Sequence, residues 1–268
     1  MSATLRILGC GSSGGVPRIG SNWGQCDPEN PKNRRLRCSV LFEKTTENGS
    51  TRVLIDTSPD LREQMLAANV DHLDAVVFTH DHADHTHGID ELRVMALLAK
   101  KRVPVYFDKP TGETLKTRFG YCFKSSQSGY PPILEGHLIS PGDELLIKGK
   151  GGKLLIRPFE QEHGEITSLG IRCGSIAYSS DISGVPDVSL PDLADLDTWV
   201  VDSLRYDYHP SHFSVKDALQ WIKRIAPKTA VLTHLHVDLD YATLAAETPD
   251  GVVPAYDGMV IPFDDTAR

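Results

Sequence analysis

The chain has 268 residues and a formal net charge of −8, with 28 Lys and Arg against 36 Asp and Glu. Hydrophobic residues make up 40% and charged residues 24%, which is typical of a soluble globular protein. The acidic balance argues against a nucleic-acid-binding surface, which needs clustered Lys and Arg. No apolar run has the length of a membrane helix. Five cysteines at irregular spacing do not form a disulfide framework, so we expect a reducing cytoplasm.

Hydrophobic periodicity predicts two strand-rich halves of one domain spanning residues 1–268. The predicted strands are 5–8, 38–42, 52–55, 75–80, 144–147, 153–157, 169–173, 174–178, 198–202 and 229–234. The predicted helices are about 60–68, 89–100 and 214–225. The first strand starts near the N-terminus, so no signal peptide is expected. Residues 111–134 interrupt the pattern and predict a lid-like insertion, in which Tyr121 and Tyr130 are candidate substrate contacts.

The most informative motif is Thr-His-Asp-His-Ala-Asp-His at residues 79–85, directly after the apolar run at 75–78. In a loop that follows a strand, side chains at this spacing can converge on two neighbouring ions, whereas on a helix they would scatter around the axis. Imidazole combined with carboxylate suits Zn²⁺, and also Mn²⁺ or Fe. The alternative is a solvated polar turn, but turns prefer Gly, Asn or Pro. The candidate ligands in the motif are His80, His82, Asp84 and His85.

This H-x-H-x-D-H motif resembles the signature of the metallo-β-lactamase-fold hydrolases. The resemblance implies an α/β fold, a four-layer αββα sandwich, and two divalent transition-metal ions, with Zn or Mn favoured. It also implies further ligands, and the chain offers His163, Asp181 and His234 in the expected order, each after an apolar run. The implied sets are His80, His82 and His163 for one ion, Asp84, His85 and His234 for the other, and Asp181 as the bridge.

Other segments extend the resemblance toward phosphodiesterases. His212, at the start of the predicted helix, takes the place of the His that protonates the leaving oxygen in that branch; the alternative is a helix-end residue without a role. Asp56 resembles an early Asp that orients a ligand imidazole. The Gly-rich turn at 9–17 contains Ser12 and Ser13, and its N–H groups would approach an oxyanion or phosphate. The chain is most similar to the phosphoribosyl cyclic phosphodiesterases of the carbon–phosphorus lyase pathway.

One departure from that family concerns a structural zinc held by a cysteine cluster and a histidine. Here Cys26, Cys38 and His236 make three obvious ligands, and structural zinc requires four, so we expect this zinc to be absent. His236 is also an alternative to His234 as the last ligand of the catalytic metals, since both would point the same way along a strand. The sequence Leu-Thr-His favours His234.

These features predict a metal-dependent phosphodiesterase acting on a small cyclic or nucleotide-like phosphodiester. A metal-bridging hydroxide would attack phosphorus, with Asp84 and Asp181 holding the metals and His212 protonating the leaving oxygen. The alternatives are a tRNA 3′-end processing nuclease, a lactonase of the same fold and a non-catalytic binding protein of cofactor biosynthesis. We expect a small-molecule substrate, no membrane and no stable nucleic-acid partner; a homodimer is left open.

Overall fold

The structure is a computed structural model that describes residues 2–125, 129 and 131–266. Within these residues, strands form two seven-stranded sheets. The strands are β1 (Ser2–Gly9), β2 (Ser39–Thr46), β3 (Gly49–Ile55), β4 (Ala75–Val77), β5 (Val103–Phe107), β6 (Leu134–Leu138), β7 (Leu145–Gly149), β8 (Gly152–His163), β9 (Ile166–Cys173), β10 (Ile176–Ser179), β11 (Thr198–Asp202), β12 (Thr229–Thr233), β13 (Val252–Pro254) and β14 (Val260–Phe263).

Most of the helices in the described ranges pack on the outer faces of the sheets. They are α1 (Leu61–Ala67), α2 (Ala83–Thr86), α3 (Leu92–Ala99), α4 (Lys109–Arg118), α5 (Gly120–Phe123), α6 (Val215–Ile225) and α7 (Tyr241–Glu247), with short 3₁₀ turns at Pro31–Asn33, Ile89–Glu91 and Asp187–Leu193. None of the helices in the described ranges is long and apolar enough to cross a membrane.

The strand order explains why functional side chains meet at one edge. The first sheet runs β14-β1-β2-β3-β4-β5-β6 and the second β13-β12-β11-β10-β9-β8-β7. Strands β3 to β6 are parallel, as are β10 to β13. Because parallel strands share their direction, their carboxyl ends open on the same edge of the sheet, where α/β proteins place ligands.

Three apolar layers hold the sheets and helices together. The central layer lies between the sheets, where Leu5 and Ile7 of β1 meet Ile171 of β9 and Val200 of β11. A second layer joins the first sheet to α1 and α3, and a third joins the second sheet to α6 and α7. The αββα sandwich predicted from the sequence is therefore confirmed.

The helix predicted at 214–225 begins one residue later, at Val215, and Ser214 is its N-cap. The Ser214 hydroxyl accepts the Asp217 N–H at 3.2 Å, and the Asp217 carboxylate accepts the Ser214 N–H at 3.1 Å. This reciprocal pair satisfies two N–H groups that would otherwise be unpaired. His212 therefore lies before the helix, in the loop that leads into it, rather than in its first turn.

The segment expected to be a lid at about 111–134 is only partly a surface feature. It contains most of α4 and all of α5, and Leu115, Cys122 and Ile133 are buried in the layer between the first sheet and its helices. These apolar contacts anchor it to the core. Tyr130 lies outside the described residues.

Candidate metal centre

Strand ends deliver most of the polar side chains of the centre. Asp56 follows β3, Asp181 comes two residues after β10, and His234 follows β12. All three have left-handed backbone conformations, with φ of 62°, 55° and 59°. Such φ values are uncommon for residues other than glycine and cluster at functional sites. The conformation ends each strand and turns its side chain toward the shared edge.

Two groups of four donor atoms lie together at this edge, and in each group the atoms are all within 4.8 Å of one another; a smaller group of three, Asp202, His212 and His234, meets the same limit. Asp181 belongs to both of these groups of four. The first group is His80, His82, His163 and Asp181, and the second is Asp84, His85, Asp181 and His234.

The Asp181 carboxylate is the geometric focus of both groups. Its Oδ2 lies 3.0 Å from Nε2 of His85. Its Oδ1 lies 3.6 Å from Nε2 of His234 and 3.8 Å from Nε2 of both His80 and His163. Asp181 is 2% exposed, so imidazoles rather than water surround this buried carboxylate.

Asp56 lies behind the imidazole rings and fixes the orientation of two of them, those of His80 and His85. Its Oδ2 accepts Nδ1–H of His85 at 2.7 Å and the Thr79 hydroxyl at 2.8 Å. The Thr79 oxygen in turn contacts Nδ1 of His80 at 3.0 Å. Since each ring uses Nδ1 as a donor, each presents the lone pair of Nε2 to the centre. The expected orienting role of Asp56 agrees with this geometry.

His163 is oriented by the backbone that carries His212. Its Nδ1 donates to the carbonyl of Ser211 at 2.6 Å, which leaves Nε2 facing Asp181. The first metal group is thus tied directly to the loop before α6. A displacement of this loop would disturb both a candidate ligand and the candidate acid.

Asp202, which the motif analysis did not identify, is the partner of His212. Nδ1 of His212 donates to Oδ2 of Asp202 at 2.7 Å, and Nε2 of His212 lies 3.8 Å from Oδ1 of Asp181. The rings of His212 and His234 are stacked, with centroids 4.7 Å apart. Asp202 ends β11 and is fully buried. Its place after an apolar run was the available signal, the same one that identified Asp181.

The charges of the buried side chains in this centre favour the binding of cations. Burial lowers the pKa of His80 well below its ordinary value, and His85 adds to the effect, so the ring is neutral. Burial opposes ionisation of Asp181, yet His234 and His85 hold its pKa well below the usual range. For His234 burial also opposes the charged form, but Asp181 and Asp84 raise its pKa to about 9. The ionised carboxylates are therefore balanced by imidazoles whose protons a metal ion can replace.

The donor set fits divalent transition metals. Nε2 of His80 and Nε2 of His234 are both buried and have no hydrogen-bond partner among the described residues. Buried polar nitrogens without partners are costly unless something binds them. Imidazole nitrogen with carboxylate oxygen is the ligand set of zinc and related ions. The two groups would hold one ion each, with Asp181 between them.

His236 does not join these groups. Its Nε2 contacts the Arg18 guanidinium, and its Nδ1 lies 2.7 Å from Oδ2 of Asp238. The expectation that His234 and His236 point the same way along a strand is wrong, because β12 ends at Thr233 and His234 has a left-handed backbone. Of the two alternatives, the structure places His234 at the centre.

The cysteines considered for a structural zinc lie in separate surroundings. Cys26 contacts the Val237 and Leu239 carbonyls, while Cys38 contacts the Thr233 hydroxyl at 3.8 Å. All five cysteines of the chain are buried free thiols. No cysteine belongs to a group with metal-ligand geometry in the described part of the chain.

The candidate substrate contacts lie in different places. Ser12 is buried beside the last ligand, with its N–H donating to the Leu235 carbonyl at 3.2 Å, whereas Ser13 is exposed. The N–H groups of Gly11 and Gly15 also donate to carbonyls of the chain. The expected phosphate cradle is therefore wrong for these three N–H groups, which are already paired. Tyr121, in α5, is 51% exposed.

Comparison with known proteins identifies the family. Residues 51–235, which include every member of the two ligand groups, match the model of the beta-lactamase superfamily domain. The chain belongs to the β-lactamase superfamily. Within this fold the chain carries two complete groups of metal-ligand donors.

Solved structures extend the comparison. A diphosphatase from the PhnP family is 34% identical, with a TM-score of 0.86 and coverage of 98% of both chains. PqqB from Methylobacterium extorquens is 16% identical, with a TM-score of 0.74 over 96% of this chain and 99% of that one. The first match places the chain close to the PhnP family, which confirms the family resemblance predicted from the sequence. The second supports the fold alone.

The chain matches two curated relatives over only part of their length. The octanoyltransferase of Porphyromonas gingivalis is 31% identical over 262 residues, which are 97% of this chain and 51% of that protein. A β-lactamase-like protein 2 homolog of Caenorhabditis elegans is 28% identical over 117 residues, 41% of this chain and 34% of that one. The chain spans about half, or less, of the curated relatives it matches.

Proposed function

We propose that the chain is a phosphodiesterase that hydrolyses a small phosphodiester and that His212 protonates the leaving oxygen. The observation that carries this proposal is the Asp202–His212 pair, with Nε2 of His212 turned toward Asp181. An alkoxide is a poor leaving group and needs a proton donor within hydrogen-bond reach. A centre that only bound a ligand would not need an acid in this position.

The residues of the centre have different roles in the proposed hydrolysis. Two divalent ions, when bound, lower the pKa of a water molecule and offset negative charge on the phosphate oxygens. Asp181 faces both ligand groups and fixes their spacing. Asp202 holds Nδ1 of His212, so that Nε2 carries the transferable proton toward the substrate. Asp56 keeps the ligand rings aligned from behind.

The substrate we propose is a small molecule rather than tRNA. The net charge of −8 supports this, since binding of nucleic acid relies on Lys and Arg that neutralise phosphates. A diphosphate linkage is the second candidate, favoured by the diphosphatase to which the chain is 34% identical. In either case the bond broken joins phosphorus to an oxygen of the leaving group.

We also propose that the ions are Zn²⁺ or Mn²⁺ and that the protein works in the cytoplasm. The imidazole and carboxylate donors support the first point. Five cysteines without a disulfide support a reducing compartment. Metal analysis of protein purified from its native source would test the first point, and cell fractionation the second.

The test is a substrate panel with enzyme loaded with Zn²⁺ or Mn²⁺. We expect turnover of bis(4-nitrophenyl) phosphate and of a nucleoside 2′,3′-cyclic phosphate, and none of a lactone or a β-lactam. A dinucleoside diphosphate tests the second linkage, and a tRNA precursor tests the nuclease alternative. Turnover of the lactone without any phosphate ester would contradict the proposal.

A further inference from the structure

A groove lined by lysines lies at the edge of the sandwich opposite the metal centre. It consists of two adjoining concavities of about 640 and 570 Å³, and Lys150 lines both of them. Lys101 and Lys148 also line the first concavity, and Lys44 lines the second. We call the surface defined by these four residues the lysine groove.

The lysine groove is remote from the metal centre. A Cβ atom at Gly49, the first residue of β3, would lie 3.0 Å from Cβ of Lys150. Asp56, which orients the ligand rings, directly follows the last residue of the same strand. A strand of seven residues is about 20 Å long. A molecule bound in the groove would therefore leave the centre open to substrate.

Three of the four lysines have no carboxylate partner. Lys101, Lys148 and Lys150 form no ion pair with any residue that the structure describes. In the register of β7 and β8, Lys148 lies directly opposite Lys153, and like charges in this position destabilise a sheet. Positive charge is thus concentrated at one edge of a chain whose net charge is −8. A local arrangement that costs stability indicates a functional surface.

Glycines hold the turn between β7 and β8 against the neighbouring hairpin. A Cβ atom at Gly151 would come within 1.9 Å of the Lys44 carbonyl oxygen, and one at Gly149 within 2.5 Å of Oδ2 of Asp74. Only glycine allows the backbone to approach this closely. The backbone that carries Lys150 is therefore fixed between the two concavities.

The carboxylates near the groove offset only part of its charge. Asp265 binds Lys44, and Asp74 accepts a backbone N–H of β3 at 2.9 Å. Glu47 is exposed in the lining of the second concavity. The first concavity has three lysines against Asp74 and keeps the larger excess of positive charge. The residues on either side of Lys101 in the chain are also exposed cations.

The other residues of the lining favour a protein partner. Leu73 and Ala99 line the first concavity beside its lysines, and Leu97 and Leu98 of α3, each 66% exposed, directly precede Ala99. Among the described residues no Phe, Tyr or Trp lines either concavity, so the bases of RNA would have no side chain to stack on. A lipid surface is met by a protruding face, whereas these lysines line a concave one.

We propose that the lysine groove binds an acidic, amphipathic segment of a partner protein while the metal centre stays open to substrate. Acidic side chains would meet the lysines, and apolar ones would cover the leucines at the end of α3. The octanoyltransferase that matches 97% of this chain is about twice as long, so a further region is covalently joined to its matching half. The groove would hold a separate protein beside this chain without such a covalent link.

A labelled peptide tests the groove. The probe is a fluorescein-labelled peptide of Glu and Leu at helical spacing, about 20 residues long, and its anisotropy is followed during titration with the metal-loaded protein. We expect binding that weakens as salt is added. The variant Lys101→Gln/Lys148→Gln/Lys150→Gln should bind the peptide about tenfold or more weakly. Lys150→Gln alone should show part of this loss.

The matched control variant is Lys109→Gln/Lys216→Gln/Lys223→Gln, which removes the same charge from exposed positions on α4 and α6. It should bind the peptide as tightly as the unsubstituted protein does. Both triple variants should keep their metal content and Tm. A peptide with Lys in place of Glu should not bind.

The outcomes distinguish the possible partners. No binding of the acidic peptide, or equal binding by the two triple variants, would refute the docking site. Vesicles of phosphatidylglycerol and poly(U) RNA are the competing probes. If either binds more tightly than the peptide and depends on the same three lysines, the groove recognises a lipid surface or RNA, and the proposal is overturned.

Discussion

The carboxylates of the centre occupy different positions relative to the candidate ligand groups. Asp84 and Asp181 belong to the ligand groups, whereas Asp56 and Asp202 lie behind imidazole rings. Asp56 and Asp202 are both fully buried and each holds an Nδ1 at 2.7 Å. They differ in the ring they bind: Asp56 binds a candidate ligand, and Asp202 binds the candidate acid, with its other oxygen 3.6 Å from Nδ1 of His234. Their substitutions should therefore have different effects.

We predict that Asp56→Asn weakens metal binding about 10- to 100-fold, because His85 loses the acceptor that fixes its ring. Titration against a competing chelator measures the affinity. Asp71→Asn is the control, since this carboxylate is 82% exposed and binds Arg52 and His72 instead. Unchanged metal affinity in Asp56→Asn would show that Asp56 has no part in orienting the ligands.

We predict that Asp202→Asn retains its metals but slows hydrolysis of a diester with an alkoxide leaving group about 10²-fold or more. An amide that donates to Nδ1 would hold His212 in the wrong tautomer. The kcat, KM and metal content should be compared with those of His212→Ala. Because the two residues act as a unit, the double variant should be hardly slower than His212→Ala alone; additive losses would separate their roles.

The residues that the structure brings together in the ligand groups share one signal in the sequence. Asp181 and His234 follow apolar runs, as does the motif at 79–85, and that pattern is readable without a structure. Asp202 carries the same signal but lacks a nearby motif to distinguish it from an ordinary turn residue. The sequence does not show that His236 lies outside the ligand groups, because nothing in it indicates that His234 has a positive φ.

Backbone hydrogen bonds connect the loop before α6, which carries His212, to the rest of the fold. The N–H of Phe213 donates to the Ile182 carbonyl at 2.7 Å, and the Leu204 N–H donates to the Phe213 carbonyl at 2.9 Å. The Ser214 cap then fixes where the helix begins. The sequence predicted this helix from the spacing of its apolar residues, whereas the position of His212 outside it depends on the cap.

We predict that Ser214→Ala lowers the free energy of unfolding by about 1 kcal/mol and also lowers kcat. The stability loss follows from the unpaired Asp217 N–H, and the activity loss from a looser His212 loop. Asp240→Ala removes the corresponding cap of α7 and is the matched control. It should lose stability while keeping kcat. If Ser214→Ala and Asp240→Ala changed kcat equally, the cap at Ser214 would have no specific link to His212.

At the scale of the molecule, Asp257 joins the C-terminal part of the chain to the first Gly-rich turn. Its carboxylate accepts the N–H of Leu36 at 2.7 Å and of Cys10 at 3.0 Å. Burial raises the pKa of Asp257 to about 6, even though both N–H groups favour the ionised form. The fold thus holds a carboxylate that is more easily protonated than in the unfolded chain.

This raised pKa predicts a pH dependence of stability. The folded state takes up a proton more readily, so the contribution of Asp257 is greatest below about pH 4 and is lost as the pH rises through about 6, on the order of 3 kcal/mol in total. In Asp257→Asn, the free energy of unfolding should change less over this pH range than in the unsubstituted protein. Denaturant titrations at constant metal excess measure it. Asp250→Asn, at an exposed position, should leave it unchanged; an unaltered slope in Asp257→Asn would contradict the account.

The role of His212 as the acid of a metal-dependent phosphodiesterase can be tested by the leaving-group dependence of His212→Ala. We predict retained metals, a loss of about 10²- to 10⁴-fold for a 2′,3′-cyclic nucleotide, whose alkoxide needs a proton, and a much smaller loss for bis(4-nitrophenyl) phosphate, whose nitrophenolate does not. Equal losses for the two substrates at unchanged metal content would contradict the claim.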